Sequence, residues 1–363
     1  MELVIFGAQG YALGAYDAIR NLSPDRKVSS FLVSRMGINS SYLGGIPVSE
    51  LATFAKRASK NDKDNTEILI ATPGDVQPEI EEILENYGFI HHQRLDFTRW
   101  TELMKLHHAK LGEFKPLSAL IVGCHKPFVR LYMARSDKDR VLRRLPDLPD
   151  YMITIHAGAV RGESHIADIS DDSGDNISEK NGNYSELTAL YWVWKNKLLM
   201  AGEGGSEERQ YYGLAHYRRF LDIDDDDLLR LVDNAVDAVL PYPMPYEPDI
   251  SAHHKRYMSD EDWEAVTRAL GEIHPEYIEP LSKVLGQRYL YNSNIIMAKK
   301  RVLRDYCEWL FPILERTEEL SVPKGSERED RYIGYIGETL ETLYFMHNAD
   351  KLKIAHTGCR FVT

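Results

Sequence analysis

The sequence predicts an α/β protein with two domains, the first of them a Rossmann-like domain with a parallel sheet. Three observations support this. Short apolar segments alternate with amphipathic helical segments, a pattern typical of parallel sheets covered by helices. The chain opens with a strand, a glycine-rich turn and a helix. Its 363 residues exceed one typical domain, and a polar connection ending at Lys115-Pro116 predicts domains at 1–115 and 116–363.

The composition excludes several classes of protein. The net charge of -12 argues against a general nucleic-acid-binding protein, whose binding domain would be basic. Three scattered cysteines without a CxxC pair predict neither a disulfide framework nor a zinc ribbon, and they favour the reducing cytoplasm. No apolar run approaches the roughly 20 residues that span a bilayer. Association with the inner face of a membrane is left open.

The first domain begins with the strand ELVIFG and a helix that follows the glycine turn. KVSSFLVS and EILIATP predict further strands, and QPEIEEILENYGF predicts a helix. The turn has the spacing G-x-x-G-x-x-x-G, which departs from the strict dinucleotide pattern, and Ser34 and Arg35 replace the expected acidic residue after the second strand. Arg35 could bind the 2'-phosphate of NADP or be an ordinary loop arginine. The domain resembles the small N-terminal domain of bacterial sugar O-acyltransferases.

The second domain begins with LSALIVGCHKPF, which predicts an apolar strand ending at Gly123. His125 and Lys126 would then lie at the carboxyl end of a strand, where open α/β sheets bind ligands. A surface His-Lys pair is the alternative. YMITIHAGA predicts the next strand.

The stretch at 171–196, DDSGDNISEKNGNYSELTALYWVWKN, joins a polar loop to a helix. Leu187, Leu190 and Trp194 follow helical spacing, and Asn183 or Ser185 is the predicted N-cap. The free backbone N–H groups of a helix N-terminus suit an anion such as a diphosphate. An ordinary capped helix is the alternative.

YYGLAHYRRF predicts a strand that delivers adjacent arginines, Arg218 and Arg219, to its end. Such a pair can clamp a diphosphate, because guanidinium groups bind phosphate oxygens in a bidentate manner. Asp222 and Asp224 form an Asp-x-Asp pattern that could bind manganese or magnesium. The same acidic run also suits the first turn of a helix, so the metal is left open.

RYLYNSNIIMAKK predicts a strand with Asn292 and Asn294 on one face, where amides could recognise sugar hydroxyls. In the last long helix, DRYIGYIGETLETLYFMHN, Arg331, Tyr335 and Glu338 fall close together. Glu338 is a candidate general base, although a solvated helix glutamate is the commoner case.

Five blocks carry a resemblance to a known family: HKPF, GDNISEKN with ELTALYWVWKN, YYGLAHYRRF, YNSNIIM with YCEWLFPIL, and RYIGYIGETL. They resemble, in this order, a bacterial family of capsular and exopolysaccharide glycosyltransferases whose shared domain is described only as of unknown function. The resemblance covers residues 118–350 and implies a GT-A-like domain with a sheet that binds a sugar nucleotide. The acidic run after HYRRF does not belong to the family pattern.

The resemblance implies a cytoplasmic hexosyltransferase. It would move a sugar, a galactose form, from a UDP-linked donor to a growing capsular, exopolysaccharide or O-antigen glycan, or to a lipid-linked glycan, with inversion. A carboxylate base is needed, for which Glu338 is the first choice and Asp175 the second. Donor and nucleotide contacts fall on His125, Lys126, Asn176, Lys180, Asn181, Glu186, Thr188, Tyr191, Trp192, Lys195, His216, Arg218 and Arg219. Sugar and acceptor contacts fall on Asn292, Asn294 and Arg331.

Two other functions remain open at this stage. A non-catalytic nucleotide- or sugar-binding module of a polysaccharide assembly complex would keep the ligand contacts without turnover. NAD(P)-dependent sugar modification rests only on the glycine turn and Arg35.

Overall fold

The computed structural model describes residues 1–142, 147–162, 166–200 and 205–362, and it divides into two compact units. The first unit contains residues 1–113 and 244–247. The second contains 114–243 and 248–362. Both units are built on a sheet with parallel strands and helices, so the predicted α/β class is confirmed.

The N-terminal unit has a six-stranded sheet. Its strands are β1 (Glu2–Phe6), β2 (Val28–Val33), β3 (Tyr42–Leu43), β4 (Ile46–Glu50), β5 (Thr66–Ile70) and β6 (His92–Arg94). Its helices are α1 (Gly10–Leu22), α2 (Leu51–Arg57), α3 (Lys60–Asp64), α4 (Gln77–Asn86) and α5 (Phe97–Leu111). The strand order is β3-β4-β2-β1-β5-β6, and only the β3–β4 pair is antiparallel. The strands predicted in ELVIFG, KVSSFLVS and EILIATP are confirmed as β1, β2 and β5. The helix predicted in QPEIEEILENYGF is confirmed as α4.

The glycine turn after β1 is shaped by Gly7, whose φ of 129° is one that L residues avoid. A Cβ at this position would lie 2.5 Å from the carbonyl oxygen of Ala71. The turn therefore requires glycine for close packing of β1 against the loop after β5.

The second unit has a nine-stranded mixed sheet within the described residues. In chain order the strands from here onward are β7 (Phe128–Arg135), β8 (Met152–His156), β9 (Ile169–Ser170), β10 (Gln210–His216), β11 (Arg219–Leu221), β12 (Ala238–Pro241), β13 (Met244–Pro245, part of the first unit), β14 (Tyr289–Leu290), β15 (Ile296–Lys299), β16 (Ile354–Thr357) and β17 (Cys359–Phe361). The order along the sheet is β16-β12-β15-β10-β7-β8-β9. Outside this order, β11 pairs with β10 and with β17. Strands β10, β7, β8 and β9 run parallel.

The helices of the second unit cover this sheet. They are α6 (Asn181–Tyr184), α7 (Leu187–Val193), α8 (Asp225–Asp233), α9 (Ile250–His254), α10 (Asp260–Ile273), α11 (Ile278–Leu285), α12 (Lys300–Leu320) and α13 (Tyr332–His347). The predicted strand in YYGLAHY and the two long C-terminal helices are confirmed as β10, α12 and α13. No helix in the described ranges is long and apolar enough to cross a membrane.

The strand predicted over LSALIVGCHKPF is wrong. A short 3-10 turn at Leu117–Ala119 is followed by irregular backbone, and the strand is β7 instead. The carbonyl groups of Leu120 and Ile121 accept hydrogen bonds from side chains of α8 and the residue after it, so this backbone pairs with a helix end and not with the sheet. In β7, alternate residues from Val129 onward pack into the core cluster.

The predicted asparagine strand is also wrong. β14 ends at Leu290 and β15 begins at Ile296, and the backbone between them turns through left-handed φ values of 71° at Ser293 and 49° at Asn294. The two asparagines therefore do not share a strand face. Asn292 is half-buried in this turn, and Asn294 is buried.

The predicted N-cap of the motif helix is wrong as well. Glu186 precedes α7, and neither Ser185 nor Asn183 caps it with its side chain. Ser185 has a φ of 53°, and its hydroxyl accepts a hydrogen bond from Arg331. The helix itself, from Leu187, is confirmed and continues into a π-helical turn at Trp194–Leu198.

Candidate active site

A cavity of about 460 Å³ lies in the second unit at the carboxyl ends of its parallel strands. Ala134 and Arg135 end β7, and His216 ends β10 in register with Ala134. Ala157 follows β8 and also lines the cavity. This edge of an open α/β sheet is where such folds bind ligands.

The wall of the cavity carries more positive than negative side chains. Six cationic side chains line it: Arg135, Lys138, Arg140, Arg218, Arg219 and Arg331. Four carboxylates line it: Asp139, Glu186, Glu329 and Glu338. Counted at their formal charges, these ten groups sum to +2, which suits an anionic ligand.

Two of the arginines are held in place by serine hydroxyls. Arg219 donates from Nη1 to Ser293 Oγ at 2.7 Å, and Arg331 donates from Nε to Ser185 Oγ at 2.9 Å. Arg218 and Arg219 also each lie 5.3 Å from the centre of the Phe361 ring. Guanidinium groups that are oriented before a ligand arrives lose less conformational freedom when they bind it.

The hairpin between β10 and β11 brings two basic segments together. His216 pairs with Arg219 across a turn of only two residues, Tyr217 and Arg218. The Tyr217 hydroxyl accepts a hydrogen bond from the backbone N–H of Arg140 at 3.2 Å. The turn after β7 and the HYRR turn are thereby fixed on the same side of the cavity.

Among the carboxylates that line the cavity, Glu338 is the one whose pKa is raised to near neutrality. Burial raises its pKa to about 7, assisted by the negative charge of Glu186. The backbone N–H of Ser293, 2.8 Å from Glu338 Oε1, and the charges of Arg219 and Arg331 act in the opposite direction. A carboxylate with a pKa near neutrality can accept a proton as a general base at physiological pH.

Glu186 stays ionised although it is buried. Burial opposes its charge, but hydrogen bonds from His216 and Asn294 outweigh that effect and lower the pKa. The Asn294 amide donates to Glu186 Oε1 at 2.7 Å, and His216 Nε2 lies 3.5 Å from Glu186 Oε2. Two carboxylates in one cavity therefore differ in pKa, which is the pattern that separates acid and base roles.

The structure brings together part of the predicted residue set. The predicted residues that line the cavity are Asn181, Glu186, His216, Arg218, Arg219, Arg331 and Glu338. Asn294 does not line it but contacts Glu186 directly. These residues come from four separate sequence blocks.

Other predicted residues make contacts within the motif region and do not line the cavity. Lys180 pairs with Glu318 at 2.6 Å, and the Asp175 carboxylate accepts a hydrogen bond from the Tyr191 hydroxyl at 3.3 Å. The remaining motif residues bond to neighbouring backbone or rings: Asn176 to Gly174 O, Thr188 to Ser185 O, Trp192 to Ser173 O, and Lys195 over the Trp194 ring. Asp175, the second candidate base, is thus not part of the cavity wall.

His125 and Lys126 lie outside the cavity wall because the strand that was expected to deliver them is absent. His125 Nδ1 is 2.6 Å from Asp233 Oδ1, and Lys126 Nζ is 3.4 Å from Asp225 Oδ1. Both side chains face α8 on exposed surface.

Asp222 and Asp224 are both engaged in structural contacts. Asp222 Oδ1 accepts a hydrogen bond from Arg360 at 2.7 Å. Asp224 is the N-cap of α8, and its carboxylate accepts from the backbone N–H of Asp227 at 2.7 Å in a capping box. Neither residue lines the cavity.

The turn after β7 was not predicted from the sequence. Arg135, Lys138, Asp139 and Arg140 line the cavity, and Asp139 folds back to accept a hydrogen bond from the Ser136 N–H at 2.9 Å. Burial raises the pKa of Asp139. The alternation in FVRLYMAR followed by the polar run SDKDR was the signal that could have revealed it.

A buried carboxylate, Asp171, supports the loop after β8 and was also missed. It is fully buried, and it accepts hydrogen bonds from Gly158 N at 2.8 Å, Ala159 N at 3.0 Å and Ser178 Oγ at 2.5 Å. Asp171 thereby joins the end of β8, which reaches the cavity, to the GDNISEKN block.

Comparison with known proteins identifies a family for this chain. The family described as a domain of unknown function, DUF4422, matches residues 143–349. Among solved structures, the chain is similar to the apo structure of the bifunctional glycosyltransferase WbbM, with 26% sequence identity and a TM-score of 0.53. The alignment covers 65% of this chain and 45% of that one, so this chain spans less than half of its neighbour. A search of curated proteins found no significant match.

Proposed function

This chain belongs to the DUF4422 family, and we propose that it is a glycosyltransferase. It moves a sugar, a galactose form, from a UDP-linked donor to a growing capsular, exopolysaccharide or O-antigen glycan, with inversion. The likeness to a bifunctional glycosyltransferase supports the reaction class. The resemblance of the motif blocks supports the donor and the acceptor.

One observation carries the proposal: a base of suitable pKa and a set of guanidinium groups line the same cavity. Glu338, with its pKa of about 7, shares the wall with Arg218 and Arg219. Sugar transfer with inversion needs one carboxylate to take a proton and cations to receive a leaving diphosphate. The cavity charge of +2 balances the two negative charges that a nucleoside diphosphate carries in its sugar-linked form.

In the proposed mechanism the Glu338 carboxylate accepts the proton of an acceptor hydroxyl. The hydroxyl oxygen forms a bond to the anomeric carbon while the bond from that carbon to the diphosphate oxygen breaks. The electron pair leaves with the diphosphate, whose developing charge is stabilised by Arg218 and Arg219. Glu186 stays ionised and orients His216 in the wall beside them.

The acidic pair that could hold manganese or magnesium does not fit that role. Asp224 caps a helix and Asp222 pairs with Arg360, so their oxygens are already hydrogen-bonded outside the cavity wall. No step of the mechanism is assigned to a metal ion.

The test is a thermal-shift screen of the purified chain against nucleotide sugars, with NAD and NADP included, each with manganese and with EDTA. A bound donor far above its dissociation constant should raise stability by a few kcal/mol. Transfer from the donor so identified is then measured with a panel of glycan acceptors, using Glu338→Gln as the matched variant that should bind and not turn over. Binding of a nucleotide sugar without transfer to any acceptor would favour the non-catalytic module. A shift with NADP alone would overturn the proposal.

A further inference from the structure

Three metal-ligating side chains meet on the exposed surface beside the end of α8. His125 Nδ1 lies 2.6 Å from Asp233 Oδ1 and 3.6 Å from Cys124 Sγ. One ligand atom from each residue lies within 4.8 Å of the others, and all three residues are exposed. An ion would reach this cluster directly from solvent and could keep a water in a remaining coordination position.

The backbone of this cluster is already arranged around Asp233. Asp233 Oδ2 accepts hydrogen bonds from the backbone N–H groups of Cys124 at 2.6 Å and His125 at 3.2 Å. Gly123 lies so close that a Cβ there would clash with Asp233 Oδ2. One oxygen of Asp233 therefore holds the loop, and the other, Oδ1, faces His125 and can change partner from an N–H group to a metal ion.

The electrostatics of the position favour a cation. Asp233 supplies an anionic carboxylate to the cluster. Asp233 is also the last residue of α8, where the helix carbonyl groups carry partial negative charge. The neighbouring cation Lys126 pairs with Asp225.

The mixture of donors selects the kind of ion. A thiolate, an imidazole and a carboxylate together suit Zn²⁺, whereas magnesium and calcium prefer oxygen ligands alone. With bonds of about 2.0–2.3 Å, tetrahedral ligand atoms lie roughly 3.3–3.6 Å apart. The 3.6 Å distance between Cys124 Sγ and His125 Nδ1 already matches this spacing, whereas His125 Nδ1 and Asp233 Oδ1, at 2.6 Å, have to move apart.

We propose that Cys124, His125 and Asp233 form a binding site for a zinc-class transition-metal ion. Bound metal cross-links the irregular segment at 120–125 to the C-terminal end of α8, replacing the hydrogen bond between His125 and Asp233. The site is separate from the cavity of Glu338 and does not depend on the proposed sugar transfer.

The experiment uses the full chain, reduced, stripped with EDTA and titrated with Co²⁺ as a spectroscopic substitute for Zn²⁺. One equivalent of Co²⁺ should produce the near-ultraviolet charge-transfer band of a thiolate–cobalt bond, and Zn²⁺ should bleach it. Zn²⁺ should also raise the melting temperature of the wild type by several degrees. The variant Cys124→Ala should lose both the band and the shift, whereas the matched control Cys359→Ala, at a cysteine in β17, should keep both.

A second variant, His125→Asn, leaves the thiol and the Asp233–backbone bonds in place and should weaken Co²⁺ binding at least tenfold. Absence of the charge-transfer band in the wild type would overturn the proposal. Its persistence in Cys124→Ala, checked for native circular dichroism, would overturn it as well.

Discussion

Ser293 connects the candidate base to a candidate leaving-group cation: its backbone N–H donates to Glu338 at 2.8 Å, and its hydroxyl accepts from Arg219 at 2.7 Å. The left-handed φ of 71° at Ser293 turns its N–H group and its hydroxyl toward the cavity. A residue of the turn between β14 and β15 thus sets the spacing between the group that takes a proton and the group that receives negative charge. Such support from a neighbouring residue is what holds a catalytic side chain in its working geometry.

Removing the Glu338 carboxylate should slow turnover strongly and preserve donor binding. We expect Glu338→Gln to lower kcat by about 10²–10⁴-fold, the usual contribution of general base catalysis. In the wild type, kcat/KM should fall as the pH drops below about 7, because the base becomes protonated. Steady-state transfer rates between pH 5 and 9 check this. Near-wild-type turnover in the variant would show that another group is the base.

The same group should make the protein less stable as the pH rises. The folded-state pKa of Glu338, about 7, lies above its ordinary value of 4.5, so the folded state holds a proton that the unfolded state has lost. The contribution of protonated Glu338 to the free energy of unfolding is fully present below pH 4.5 and is lost as the pH rises through about 7. Relative to Glu338→Gln, the free energy of unfolding of the wild type should therefore drop by about 1–3 kcal/mol between pH 4.5 and 8. Urea denaturation at several pH values measures it, and parallel curves for the two proteins would contradict the shift.

Ser293→Gly should separate the catalytic and structural roles of this position. Glycine adopts a positive φ without strain and keeps the backbone N–H that Glu338 accepts from, so stability should be unchanged or slightly raised. Arg219 loses its hydroxyl acceptor, and we expect kcat/KM to fall about tenfold. The exposed Ser282→Gly on α11 is a control for activity, with no loss expected. Unchanged kcat/KM in Ser293→Gly would mean that the Arg219 contact does not matter for the reaction.

Several regular elements were predictable from simple sequence patterns. β1 and β10 are continuous apolar runs bounded by polar or glycine residues, as expected for strands buried on both faces, and α12 has a helical period of 3.6. The apolar run at 117–123 is equally strand-like by composition, yet Arg230 and Asn234 take its carbonyl groups as hydrogen-bond partners. Whether this run forms a strand therefore depends on contacts with residues more than 100 positions away, which a local sequence pattern does not contain.

The candidate site was predictable only where a motif delivers a residue to a strand or helix end. Arg218 and Arg219 follow a clear strand, and Glu338 lies on a clear helix, so all three were identified. Lys138 and Arg140 were missed because their strand was assigned one segment too early. The raised pKa of Glu338 requires the burial and the neighbouring Glu186, neither of which a sequence shows.

Asp171 should be one of the most sensitive positions for stability. Its buried carboxylate satisfies two backbone N–H groups and the Ser178 hydroxyl. Asp171→Asn keeps the shape but presents an amide N–H₂ to one of these donors, so we expect a loss of about 2–4 kcal/mol. Urea denaturation compares it with Asp172→Asn, an exposed neighbour that should change stability by less than about 0.5 kcal/mol. Equal effects of the two variants would refute the role assigned to Asp171.

Variants of Asp224 distinguish a helix cap from a metal ligand. Because its carboxylate caps α8, Asp224→Ala should lower the free energy of unfolding by about 1 kcal/mol, whereas Asp224→Ser should retain most of it, since serine is an equally good cap. Asp226→Ala, in the exposed first turn of α8, is the control without a capping role. The ratio of transfer rates in manganese and in EDTA should be the same in all three variants as in the wild type. Activation by manganese that disappears in Asp224→Ser would instead identify the acidic pair as a metal site, because serine replaces the cap but not a carboxylate ligand.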